Sequence, residues 1–133
     1  MKIRYLAVVD KNITKNFTYE DLSCPCCNRI IICDRLYQHM DLLQKMRGKL
    51  NFPVIINSAY RCKRHNEDIG GTVNSQHLLF ATDIRPSWKT GFKQRLKAIK
   101  VVVKEMDFDG IGDYPTFVHL DMRGEKARWK PLI

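Results

Sequence analysis

The chain has 133 residues, of which 44% are apolar and 28% charged, so it buries one proper core and is too short for two ordinary domains. That composition excludes a disordered tail, and no apolar run approaches the roughly 18 residues a membrane span needs. Lys and Arg outnumber Asp and Glu by 23 to 14, a net charge of +9, which favours polyanionic surroundings through the summed surface field.

The N-terminus is basic but carries only a short apolar run, Leu6 to Val9, below the ~7 to 15 residues of a signal peptide; synthesis in the cytoplasm is the expectation. Residues 3 to 9 read as a short strand, followed by a polar connection through Asn12 and Asn16. Cys24-Pro25-Cys26-Cys27 comes next, with Cys33 and Cys62 further on. Five cysteines cannot all pair within one chain, and a reducing compartment fits them better. Cys24 and Cys27 have the C-x-x-C spacing of tetrahedral zinc sites, which need four ligands; Cys33 and Cys62 or a His would complete the set. Free or buried thiols are the competing reading.

Asp34 suits a helix N-cap, and Leu36, Met40, Leu43, Met46 and Leu50 recur at threes and fours, which predicts an amphipathic helix ending near Gly48. After Pro53, Val54 to Asn57 reads as a buried strand. The polar segment 61–74, with Gly70-Gly71, reads as a loop holding a short helix over 63–69. Residues 78–84 form a second expected core strand, stopped by Pro86. Phe92, Leu96, Ile99, Val103 and Met106 mark another long helix, with Lys93, Arg95, Lys97, Lys100 and Lys104 as its solvated face. Residues 116–122 make a final strand. The fold class is α+β: a small antiparallel sheet carrying a metal site, with two main helices packed on it.

His77, immediately before the 78–84 strand, Asp83 within it and His119 within 116–122 are read at strand positions. A single His is more often a packed or surface residue than a ligand. Together the three match a zinc centre in which three protein ligands leave a fourth position for water. Coordination brings that water's pKa towards 7 and polarises a carbonyl, which makes amide hydrolysis feasible at neutral pH.

The run Ser75-Gln76-His77-Leu78-Leu79-Phe80-Ala81-Thr82-Asp83 resembles the S-x-H-x-x-G-x-A-x-D motif of the zinc D-alanyl-D-alanine carboxypeptidase family, which includes phage L-alanyl-D-glutamate endolysins. Phe117-Val118-His119-Leu120-Asp121-Met122-Arg123, followed by Arg128-Trp129, is similar to its closing strand and R-W tail. Ile56 to Cys62 with His65-Asn66 resembles its Y-R segment, and Gly70-Gly71-x-x-Asn74-Ser75 its glycine-rich lead-in. Phe17, Glu20 and the Cys24 to Cys27 cluster resemble its beginning. The likeness spans residues 17 to 129, which leaves 1–16 as an N-terminal extension before a single zinc peptidase-like domain at 17–133.

The resemblance implies that His77, Asp83 and His119 hold zinc and that Arg61 receives a substrate carboxylate, with Ser75 beside it in the substrate site. A guanidinium fork suits that task because it offers two parallel charge-assisted bonds; an ordinary salt bridge is the alternative for Arg61. It also implies hydrolysis of peptidoglycan stem peptides by a monomer, released to the cell wall after synthesis, as a phage lysis enzyme is. Anionic envelope polymers, rather than nucleic acid, are then the polyanion that the charge meets, since no helix-turn-helix, finger or aromatic RNA-binding signature accompanies it. The general base is expected to be Asp121, two residues from His119 and on its strand face, or Asp113 from the preceding loop. Asp121 reads alternatively as a partner that orients His119.

One departure from the family stands out. His77 and Asp83 are six residues apart instead of seven, and the family's glycine is absent. Six is even, so a bulge-free strand brings both side chains to one face. If the shortened segment does not deliver Asp83, the chain is an inactive, peptidase-like binding module.

Overall fold

The computed structural model describes residues 4–7, 11–72 and 75–130. Residues 3, 8 and 9 of the expected first strand, and Asn74 of the glycine-rich lead-in, lie outside them. In chain order the elements are β1 (Arg4–Ala7), β2 (Asn12–Thr14), β3 (Phe17–Thr18), β4 (Arg29–Ile32), α1 (Asp34–Gly48), β5 (Val54–Ser58), α2 (Lys63–Asp68), β6 (Ala81–Pro86), α3 (Phe92–Lys104), β7 (Gly110–Asp113), β8 (Val118–Asp121) and β9 (Ala127–Trp129), with 3-10 turns at Glu20–Leu22 and Gln76–Leu78. The architecture is the expected α+β class.

The helices follow the apolar spacing. Along α1, Leu36, His39, Met40, Leu43 and Met46 are buried, one stripe at threes and fours. Its N-cap is Cys33 rather than Asp34; Asp34 stands in the first turn, where its carboxylate meets the positive end of the helix dipole. Along α3, Leu96, Ile99 and Val103 are buried, while Lys93, Lys97 and Lys104 are exposed as expected. Arg95 lies over the Phe52 ring at 5.1 Å, and Lys100 turns inward to Asp113.

A five-stranded sheet of order β5-β6-β8-β7-β9 carries the rest. Its pairs are antiparallel except β7 with β9, which run parallel. Two small antiparallel pairs, β1 with β4 and β2 with β3, stand apart from it. Register and the two-residue period sort the sheet's side chains onto two faces. Thr82 stands opposite Leu120, Ile84 opposite Val118, and Ile111 opposite Leu120; these residues, all buried, join α1 and α3 in the core. Asp83 stands opposite His119, Ala81 opposite Asp121, and Gly112 opposite both His119 and Trp129. This second face holds the polar cluster.

The expected strand over 78–84 starts only at Ala81. The hydroxyl of Ser75 accepts from the backbone N–H of His77 at 3.2 Å and so caps the 3-10 turn Gln76–Leu78, an alternative that local side-chain bonding offers the backbone. Phe80, fully buried, then anchors the start of β6.

Candidate metal centre

His77 therefore reaches the sheet from a turn, not from a strand. The parity argument for a bulge-free strand does not describe how it meets Asp83, because a helical turn intervenes and the alternation of strand faces no longer applies. The local irregularity lies in the neighbouring β5, where the register shifts between Ile56 and Ser58 and Ser58 comes to face Asp83. The turn is held by the N–H of Arg61, which donates to the carbonyl of His77 at 2.9 Å.

The ligand-bearing atoms of His77, Asp83 and His119 all lie within 4.8 Å of one another. Asp83 sits between the two imidazoles: one carboxylate oxygen is 2.9 Å from Nδ1 of His119, and the other is 3.2 Å from Nε2 of His77. On its other side the His77 ring is bonded through Nδ1 to the carbonyl of Ala59 at 2.7 Å. A carbonyl only accepts, so Nδ1 carries the proton and Nε2 presents a lone pair. That Nε2 is buried with no hydrogen-bond partner of acceptable geometry. A buried, unprotonated imidazole nitrogen aimed at a carboxylate and a second imidazole is a set that fits zinc.

His119 is held from both ends. Its Nε2 lies 2.8 Å from the fully buried carboxylate of Asp121, which is clamped in turn by Arg123 through Nε at 2.9 Å and Nη2 at 2.6 Å. Burial lowers the His119 pKa, but the hydrogen bonds from Asp121 and Asp83 and their charges outweigh it and raise the pKa above its ordinary value. Burial pushes the Asp83 carboxyl up, but His119 and His77 hold it well below the usual carboxylate range. Asp121 is depressed in the same sense by His119 and Arg123.

Arg61 stands on the rim. Its guanidinium is bonded to the hydroxyl of Ser58 at 3.2 Å and to the side-chain oxygen of Asn66 at 3.0 Å, with Nη2 3.8 Å from Asp83. Burial lowers the Arg61 pKa and Asp83 partly offsets this. Asn66, itself buried, donates to the carbonyl of Thr72 at 2.8 Å. A Cβ on Gly71 would overlap the Asn66 side chain, which is why the glycine-rich segment is required beside Arg61. Ser75 lines the same cavity, but its hydroxyl is engaged in capping the turn that carries His77.

The cavity has a volume of about 400 Å³ and is lined by Arg61, His77, Asp83 and His119 together with Tyr114, Phe117, Arg123 and Trp129. Among the described residues Asp83 is the one carboxylate in its lining. Asp121 faces the nitrogen of His119 that points away from the cluster. Asp113 shares the core face with Val118, its cross-strand partner, and its carboxylate is 2.6 Å from Lys100 on α3. Strand alternation thus turns Asp113 away from His119, and neither carboxylate expected as the base lines the cavity.

The aromatic wall was not anticipated. Trp129 donates from Nε1 to the Tyr114 hydroxyl at 2.9 Å, its ring lies 5.2 Å from that of His119, and the Arg123 guanidinium covers it at 4.9 Å. Gly110 and Gly112 make room beneath: a Cβ on Gly112 would come within 2.7 Å of the Trp129 ring, and one on Gly110 would overlap the Asp121 carboxylate. The alternating Gly110-Ile111-Gly112, with Trp129 downstream, was the available signal.

An α+β domain with a His-Asp-His centre open to a peptide-sized cavity is the class of a metallopeptidase. The Peptidase M15 family profile matches residues 15–121, most of the chain, and the chain belongs to that family. No curated protein matches it significantly.

Proposed function

We propose that this protein hydrolyses amide bonds in peptidoglycan stem peptides, as a D-Ala-D-Ala carboxypeptidase or an L-Ala-D-Glu endopeptidase, with zinc held by His77, Asp83 and His119. The observation that carries the reading is the convergence, in one cavity, of a carboxylate-binding fork at Arg61 and the imidazole-carboxylate cluster. Stem peptides bear free carboxylates, and the Arg61 side chain is preset by Ser58 and Asn66, so little rotamer freedom is lost when one binds.

Zinc, when bound, supplies Lewis-acid polarisation of the scissile carbonyl and activation of water. The protein's own groups do the rest. His77 offers Nε2 because its Nδ1–H donates to the Ala59 carbonyl, and His119 offers Nδ1 when its Nε2–H donates to Asp121. Asp121 is thereby a positioning residue. The Tyr114 hydroxyl accepts from Trp129 and keeps its own proton to donate to the oxygen on which charge develops. Phe117 and Trp129 wall the site, where exclusion of water strengthens these contacts.

The test is zinc content and muropeptide release from purified peptidoglycan, comparing the intact protein with His119→Ala. Activity is expected to fall by on the order of 10³-fold or more, together with the zinc of this centre. Zinc binding with no activity in the intact protein would sink the hydrolase reading and leave a binding module.

A further inference from the structure

The cysteines form a second cluster that the hydrolytic site does not use. Cys24, Cys27 and Cys62 have sulfur atoms all within 4.8 Å of one another, and Cys24 Sγ is 3.6 Å from Cys62 Sγ. All five cysteines are free thiols. Cys26, exposed in the same turn, and Cys33, buried at the head of α1, lie outside that group of three. A disulfide requires sulfurs at about 2.05 Å. A tetrahedral zinc with Zn–S bonds of about 2.3 Å holds its sulfurs about 3.8 Å apart, close to the spacing found.

The surrounding backbone is shaped for thiolate sulfur. The turn Cys24-Pro25-Cys26-Cys27 is closed by the N–H of Asn28 donating to the carbonyl of Cys24 at 2.8 Å and by that of Cys24 donating to Arg29 at 2.8 Å. Asn28 adopts φ 54°, the left-handed conformation that Asn tolerates better than most residues. It lets the chain turn back after Cys27, so that Cys24 and Cys27 present their sulfurs to one point. The N–H of Cys62 donates to Cys24 Sγ at 3.4 Å, and that of His65 to Cys62 Sγ at 3.4 Å. Cys26 and Cys27 are exposed, so apolar packing does not account for them.

We infer that Cys24, Cys27 and Cys62, with Cys26 as the fourth sulfur, form a structural zinc site separate from the hydrolytic centre. The chemistry of the donor set selects the metal: three clustered thiols, with a fourth supplied from the same turn, suit zinc at tetrahedral geometry. The site ties the turn before β4 to the N-terminus of α2, across 38 positions of sequence between Cys24 and Cys62. Cys62 is the residue after Arg61, and its sulfur caps α2, so the metal also fixes the backbone that presents the Arg61 fork. The inference does not depend on the catalytic reading, because its ligands are a different set of residues.

The full chain, purified without chelator, is compared by elemental analysis with His119→Ala and with Cys24→Ser/Cys27→Ser. Intact protein is expected to hold two zinc ions. His119→Ala is expected to keep the cysteine-bound one, and the double cysteine variant to lose it. Failure of the catalytic reading alone leaves the cysteine-dependent zinc in place, so the two failures are distinguishable. In case the double variant does not fold, two measurements use the intact chain. Cobalt substitution is expected to give a thiolate-to-cobalt charge-transfer band, and iodoacetamide should label Cys26 and Cys27 several-fold faster after chelation. Zinc content unchanged in a folded cysteine variant, absence of the thiolate band, or a native mass two hydrogens short, reporting a Cys24–Cys62 disulfide, overturns the inference.

Discussion

Two histidines lie against opposite faces of the same pair of strands, and their pKa values are shifted in opposite directions. His39, from α1, is buried on the core side with Nε2 2.8 Å from the hydroxyl of Thr82, and its ring meets Phe80 and Phe108 edge-on at centroid distances of 5.1 and 5.4 Å. Burial, reinforced by repulsion from His119, brings its pKa down to about 3. His119, on the other face of β8, is also mostly buried, yet its two carboxylates raise its pKa. Burial is common to both; the difference is that one meets a hydroxyl and aromatic rings while the other meets two anions. The sheet separates a packing histidine whose pKa is depressed from one held between two carboxylates whose pKa is raised.

The largest effect in that comparison should come from the anion that orients His119. Asp121→Asn keeps an oxygen to accept from Nε2 but removes the charge. Loss of such an outer partner typically costs ~10 to 100-fold in metal affinity, and a competition titration with a chromogenic chelator measures it. If zinc affinity is unchanged while turnover vanishes, Asp121 acts as a base and the positioning role assigned to it is wrong.

The second test addresses His39. Its folded pKa, about 3, lies below its ordinary 6.5, so between those values the unfolded state binds the extra proton. Stability therefore falls as pH falls from 6.5 towards 3, by up to about 1.4 kcal/mol per pH unit. His119 has the opposite sign: its raised pKa contributes stability that is full below 6.5 and lost as pH rises through its folded value. The depressed carboxyls Asp83 and Asp121 lose their contribution only below the ordinary carboxylate range. In chelator-stripped protein, thermal midpoints between pH 6.5 and 4 should fall for the wild type and flatten for His39→Leu. An unchanged slope in the variant would place the acid sensitivity elsewhere.

The two faces were unevenly legible in the sequence. The core face was readable because its signals are local: apolar residues at threes and fours mark α1 and α3. His39 sits within that same stripe, yet nothing in the periodicity says that its partner is Thr82, more than forty positions away. The site face depends on features that only the assembled sheet reveals. The arrival of His77 from a capped turn rests on Ser75 and on the anchoring of Phe80, and both read equally well as parts of a longer strand. Gly112 acquires its meaning only when β9 lies parallel to β7 and brings Trp129 over it, and Gly110 only when β8 sets the Asp121 carboxylate against it. The motif resemblance located His77, Asp83, His119 and Arg61 without that geometry; it could not orient Asp113, whose direction is decided by strand parity and by Lys100.

Asp113 gives the smallest expected effect and the sharpest division between the faces. Its carboxylate is 2.6 Å from Lys100 Nζ, with both side chains about a quarter exposed, and Lys100 also donates to the carbonyl of Tyr114 at 2.8 Å. A partly exposed pair of this kind contributes ~0 to 1 kcal/mol after solvent screening, so Asp113→Asn should lower the unfolding free energy by no more than that. Lys100 keeps its bond to Tyr114 in the variant, which limits any shift of the aromatic wall. Turnover should stay within about twofold of wild type, since ~0.4 kcal/mol corresponds to that ratio. A loss of several hundredfold in turnover at unchanged stability and zinc content would mean that Asp113 leaves Lys100 and reaches the reacting groups. The separation of the two faces would then be a property of the resting enzyme and not of the working one.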